Sequence, residues 1–239
     1  MIDTIKIKTF GLALCIATTL TLIPSARAAD RQKLDDRIAA AGDVLHELMN
    51  TPDKSIPDEI AEHATCVAVV PGFKKGAFVV GAQYGQGVVT CRTGHGWSAP
   101  AFIQLTGASF GFQAGGESTD LVLVAMSHDA MQRLLTDKVK LGADIAVAAG
   151  PVGRNAQVST TELANAGFLT YSRNKGIFAG VDLSGDVVNQ NREDTEAYYG
   201  RDITHQAILS GEVEAPPSAA PFRHAVSELF HADVTRASR

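Results

Sequence analysis

The stretch Cys66-Val67-Ala68-Val69-Val70-Pro71-Gly72-Phe73-Lys74-Lys75-Gly76-Ala77-Phe78-Val79-Val80-Gly81 decides how the rest of the chain is read. Its first five residues are apolar, small or β-branched, and read as a short strand. Gly72-Phe73-Lys74-Lys75-Gly76 carries glycine at both ends and reads as a turn, after which the apolar pattern resumes. Strand, turn, strand is the pattern of a β-rich centre.

Further strands are expected over residues 77–84 and 88–92, separated by Gly85 and Gly87, then over 101–114 and 121–126. Short strands joined by glycine turns favour antiparallel meander pairing. Gly107, Gly111, Gly115 and Gly116 imply bends or bulges, and so a curled sheet. Residues 168–172 and 176–183 read as a second hairpin around Arg173-Asn174-Lys175-Gly176.

Helices frame this centre. Over residues 30–49, Leu34, Ile38, Ala41, Leu45 and Leu48 recur at steps of four and three, which puts them on one face. Such a helix packs on the domain, or lies on a membrane through that face; a polar face of mixed sign and an apolar face without aromatics favour packing. Shorter helices are expected over 57–64, over 128–136 capped by Ser127, and over 194–199 and 203–209. Pro216-Pro217-Ser218 reads as a linker before a last helix over 222–230. The fold class is α+β: a curled, barrel-like antiparallel sheet flanked by an N-terminal amphipathic helix and several short helices.

The amino terminus sets the expected compartment. Lys6 and Lys8 precede an apolar run that Pro24 breaks, and Ala26-Arg27-Ala28 follows. This pattern reads as a secretory signal peptide cut after Ala28. The run of about 14 residues is shorter than the roughly 20 that a spanning helix needs. Leu14 is bulky where a lipoprotein box before Cys15 wants a small residue, so lipidation there is disfavoured. The expected divisions are a signal peptide (1–28), one domain (29–212), and a linker with a C-terminal helix or tail (213–239). Loss of 1–28 leaves 18 basic and 25 acidic residues, a net charge of −7. Bulk charge then does not draw the chain to nucleic acid, and any contact with an anionic surface must come from a local basic patch. Cys66 and Cys91 remain, either as a disulfide or as two buried thiols.

The chain carries few patterns of catalytic chemistry. Gly107-Ala108-Ser109-Phe110-Gly111 matches a hydrolase nucleophile elbow in five residues, but the glycine-rich sequence after it does not read as the helix such an elbow needs. Ser127-His128-Asp129 holds triad residue types as helix neighbours, which point about 100° apart and cannot relay in series. No histidine pair has metalloprotease spacing, and neither a metal nor a cofactor is expected. What remains are cations beside glycine: Lys74 and Lys75; Arg154 after Gly153; Arg173 and Lys175 before Gly176. Such turns either hold a phosphate between backbone N–H groups and cations or are ordinary solvated turns.

The blocks that carry these residues resemble a known family, the SYLF domain proteins. The resemblance lies in residues 66–81, in Gly96-Trp97-Ser98-Ala99-Pro100-Ala101, and in the run from Gly107 to Gly115. It continues in Leu141-Gly142-Ala143-Asp144, Ala149-Gly150-Pro151-Val152-Gly153-Arg154, Tyr171-Ser172-Arg173, and Gly176-Ile177-Phe178-Ala179-Gly180-Val181. The blocks stand in family order over about residues 34–210. The resemblance implies lipid binding without catalysis, with phosphoinositide recognition in eukaryotic members and actin binding in some. An exported chain does not meet actin, so the expected partner is an anionic phospholipid or membrane surface. The lipid-contacting residues, by the chemistry of the turns alone, are Lys74, Lys75, Arg154, Arg173 and Lys175. Two other readings stand beside this one: an envelope protein that binds another protein or a polymer, and a serine hydrolase using Ser109.

Overall fold

The structure is a computed structural model that describes residues 23–50, 56–77, 80–110, 115–153, 165–174 and 177–231. Helix α1 (Ile23–Met49) and helix α2 (Asp58–His63) precede five strands: β1 (Cys66–Ala77), β2 (Val80–Thr93), β3 (Gly96–Trp97), β4 (Ala101–Phe110) and β5 (Gly115–Ala125). Helix α3 (His128–Leu134) leads to β6 (Lys138–Lys140), β7 (Val147–Ala149), β8 (Phe168–Asn174), β9 (Ile177–Gly180) and β10 (Val187–Gln190). Helices α4 (Arg192–Tyr199), α5 (His205–Leu209) and α6 (Ala220–Leu229) end the described chain, with a 3-10 turn at Pro217–Ala219 before α6.

The sheet runs β6-β10-β4-β2-β1-β5-β8-β7, with β3 beside β2 and β9 beside β8. Pairing is antiparallel except between β7 and β8. The two outermost strands, β6 and β7, are joined by only six residues, 141–146. Flat, eight strands would set them about 34 Å apart at normal spacing, while this link reaches about 25 Å at full stretch. The link is not stretched: the Asp144 N–H donates to the Lys140 carbonyl at 2.8 Å, and Leu141 bridges to Ile145. The sheet must therefore curl back on itself, as the α+β reading expects. The order is not that of a simple meander, because the chain passes from β4 to β5 across β2 and β1.

Curling gives the sheet two apolar faces. The inner one gathers Cys66, Ala68, Val70, Phe73, Ile103, Leu105, Leu121, Leu123, Val139 and Val188. The outer one gathers Val67, Val69, Val88, Phe102, Val122, Leu169 and Tyr171, and packs against α1, α2, α4 and α6. Every residue from Cys66 to Val70 is thus buried, which is why the run carries no polar position. The periodic face of α1 is used in the same way: Leu34, Ile38, Ala41, Leu45 and Leu48 are all buried in the outer core. Packing on the domain, not lying on a membrane, is what that face does. No described helix is long and apolar enough to cross a membrane.

Three expectations are corrected. Residues 72–76 do not form a turn; β1 continues to Ala77, bonded to β2 on one side and β5 on the other. The irregularity is a bulge between Val70 and Phe73, where Gly72 takes φ 61° and donates its N–H to Asp120 Oδ1 at 2.8 Å. Gly85 and Gly87 do not separate two strands, since β2 is continuous. They are glycine because a Cβ on Gly85 would stand 2.6 Å from Val70 Cγ1, and one on Gly87 2.3 Å from the Val69 carbonyl oxygen. Finally, the expected linker and tail is core as far as Phe230: Phe222, Ala225, Val226 and Phe230 are fully buried. Of the expected signal peptide, residues 1–22 lie outside the described residues, and α1 runs from Ile23 through the expected cut at Ala28.

Candidate functional site

The five cations singled out by sequence separate into three groups. Arg154 and Lys175 lie outside the described residues. Arg173, on β8, is committed to two carboxylates: it pairs with Asp120 on β5 at 2.5 Å and with Glu47 on α1. It ties the helix to the sheet and has little charge left over for a ligand.

Lys74 and Lys75, consecutive on an extended strand, point to opposite faces. Lys74 is exposed on the outer face, between Tyr84 of β2 and Ser118 of β5 in register. Tyr84 is 43% exposed, one of two large exposed hydrophobic side chains among the described residues; the other is Ile177, 55% exposed. A cation and an amphipathic aromatic ring thus stand side by side at the end of the β1–β2 pair. Lys75 turns inward, half-buried, with its ammonium 6.0 Å from the centroid of the Phe73 ring.

The inward row was not legible in the sequence. Lys75 pairs in register with Gln83, and Gln83 with Gly107. Gly107 lacks a side chain because Asp186 takes its place: a Cβ there would lie 1.6 Å from Asp186 Oδ1. The row therefore reads ammonium, amide, carboxylate. Gln83 Oε1 is buried and accepts no hydrogen bond from the described residues. Asp186 is only 4% exposed. Burial pushes its carboxyl up to about 6, Lys75 pulls it down, and Asp182 pushes it up further. Asp182 is itself held low by the Ser184 hydroxyl and N–H, which donate to it.

Several other cations are structural. Arg92 lies over the Trp97 ring at 4.6 Å and donates to the carbonyls of Ala64, Ala61 and Phe230, capping the ends of α2 and α6 together. Arg37 pairs with Asp194 at 2.5 Å and donates to Gln86 at 2.8 Å. Ser109 lies within β4, paired with Gly81, and not at a strand-to-helix turn. No group of three potential metal ligands occurs among the described residues. His205, 2% exposed, meets the Phe102 carbonyl through Nε2 at 2.8 Å, and burial holds its pKa below the usual histidine range. A hollow of about 380 Å³ between α1 and α4 is lined by Asp30, Glu193 and Glu196, a poor match for an anionic head group. Cys66 and Cys91, in register across β1 and β2, are joined by a disulfide.

A curled two-faced sheet under helices, with polar side chains at one end of its strands, defines a compact α+β domain whose candidate sites are binding surfaces. The Ysc84 family, described as "Las17-binding protein actin regulator", matches residues 106–229. The chain is 35% identical over 184 residues to LAS seventeen-binding protein 3 of Saccharomyces cerevisiae, covering 75% of this chain and 40% of that protein. It is 36% identical over 172 residues to SH3 domain-containing YSC84-like protein 1 of Rattus norvegicus, and 35% identical to the Homo sapiens protein of that name. Those two matches each cover 71% of this chain and 50% of the relative. The chain belongs to the Ysc84 family, the SYLF domain proteins, and spans half or less of the length of these relatives. The family description names binding and regulation, and the yeast relative's name a binding role.

Proposed function

We propose that this chain is a non-enzymatic, peripheral lipid-binding protein that recognises anionic phospholipid head groups after export to the periplasm or the exterior. The observation that carries the reading is the exposed pair Lys74 and Tyr84 on neighbouring strands. An ammonium offers charge to a phosphate, and a tyrosine beside it offers a ring suited to the membrane–water boundary. The chain's net negative charge makes this attraction local, so it weakens as salt screens it. Arg154 and Lys175 remain proposed contacts by the chemistry of their neighbours in sequence; Lys75 has a different role, argued below.

The test is flotation of residues 29–239 with phosphatidylglycerol vesicles at two salt concentrations. The wild type floats, more at low salt. Lys74→Ala weakens the partition about fivefold, as one lysine near an anionic surface is worth about 1 kcal/mol. A wild type that stays at the bottom at both salt concentrations overturns the reading. A second reading, a protein partner, draws on the relatives named for binding Las17. A pull-down from envelope extract that recovers one stoichiometric protein, with no flotation, would favour it.

A further inference from the structure

We infer that the inward row of Lys75, Gln83 and Asp186 is a receptor for a head group bearing both a phosphate and a primary ammonium, of the phosphoethanolamine type. The inference rests on the lipid reading for its natural source of ligand and deepens it, but it concerns the opposite face of the sheet from Lys74.

Lys75, Gln83 and Gly107 stand side by side on β1, β2 and β4, and strand alternation puts all three on the inner face. Phe73 and Leu105 occupy the same face one step deeper and give the row an apolar floor. Asp186 arrives from the turn before β10 and lays its carboxylate over Gly107. The ends of the row are thus about two strand spacings, or about 10 Å, apart. Lys75 is the cation of the row and Asp186 its anion, with Gln83 Oε1 between them, buried and without a donor among the described residues, while Glu117 of β5 pairs in register with Lys75 on its other side.

Those charges decide the ligand class. A bare phosphate would meet Lys75 favourably but Asp186 unfavourably, and a simple amine the reverse. A molecule whose phosphate and ammonium are two carbons apart answers both ends at once. Its phosphate faces the Lys75 ammonium, and its three N–H donors reach the Asp186 carboxylate and the Gln83 carbonyl. With its carboxyl at about 6, Asp186 is largely ionised at neutral pH and able to accept from an ammonium. An orphaned buried acceptor costs stability unless something satisfies it, and the ligand's ammonium would do so. Glu117 stands at the matching position of β5, across from Lys75.

The experiment uses residues 29–239 at pH 7.5 with three probes: dihexanoyl phosphatidylethanolamine and dihexanoyl phosphatidylglycerol as monomers, and free O-phosphoethanolamine. Binding is read by calorimetry and by amide shifts in β1, β2 and the turn before β10. The expected result is at least tenfold tighter binding of the ethanolamine lipid than of the glycerol lipid. Asp186→Asn, isosteric and expected to fold, should erase that preference by weakening the ethanolamine lipid alone. Gln83→Met should weaken it several-fold. Equal or tighter binding of the glycerol lipid, or an Asp186→Asn protein that keeps the preference, overturns the inference while leaving the lipid reading in place. Shifts with free O-phosphoethanolamine but with neither lipid keep the site and remove a lipid as its source of ligand. Silence with all three probes overturns the inference.

Discussion

Asp186 is a charged side chain that costs the fold stability where it stands. Its carboxyl, 4% exposed, is raised to about 6 from an ordinary value of 3.8, because burial disfavours the anion more than Lys75 favours it. A carboxyl with a raised pKa binds more protons folded than unfolded between those two values. Its contribution is therefore fully favourable below about pH 4 and is lost as pH rises through about 6. The loss is at most about 3 kcal/mol at neutral pH, at 1.36 kcal/mol for each unit. Asp186→Asn should accordingly raise the urea midpoint at pH 7.5 and change it little at pH 4. An equal effect at both values would show that the carboxylate's charge is not the cause. Lys75 is plain in the sequence but its link to Asp186 and Gln83 is not, because what joins them is register and a 79-residue return of the chain to Gly107. Arg173 shows the same limit from the other side: its cation is plain in the sequence, and the Asp120 and Glu47 that occupy it are not.

At the scale of the element, what was legible depended on length and period. Helix α1 is long and repeats its apolar residues at helical spacing, so its buried face could be named residue by residue. Leu45, fully buried at the centre of that face, gives the corresponding prediction: Leu45→Ala should cost about 2–5 kcal/mol in urea unfolding. A cost under 1 kcal/mol would mean that the helix is not held by this face. Strands β6, β7 and β10 are three or four residues long, with only one buried residue in each. So short a segment carries no readable alternation. The stretch around Lys74 departs from the expected turn for a different reason. Glycine and lysine favour turns locally, but two neighbouring strands bond it on both sides, and pairing outweighs propensity. One bulge at Gly72 absorbs the irregularity and lets Phe73 join the inner core.

At the scale of the molecule, curling makes the last helix indispensable. The outer face of the sheet needs a cover, and α1 alone does not supply it: Phe222, Ala225, Val226 and Phe230 fill the remaining space. Trp97 packs edge-on against Phe230 with centroids 6.1 Å apart, and Arg223 donates to the Trp97 carbonyl at 2.8 Å. Arg92 joins the end of α6 to the end of α2, so the two helices are held by one guanidinium. The proline pair before α6 had the look of a boundary because proline does end elements, yet the chain here turns and docks without leaving the domain. Burying two phenylalanines, a valine and an alanine contributes on the order of 5–8 kcal/mol, against a total stability of roughly 5–15 kcal/mol for a domain. A chain ended after Glu214 should therefore lose its cooperative thermal transition and bind a hydrophobic dye at 25 °C, as followed by circular dichroism and fluorescence. A truncated chain that melts cooperatively at the wild-type temperature would instead make α6 an appendage, and the outer core would have to be closed by α1 and α2 unaided.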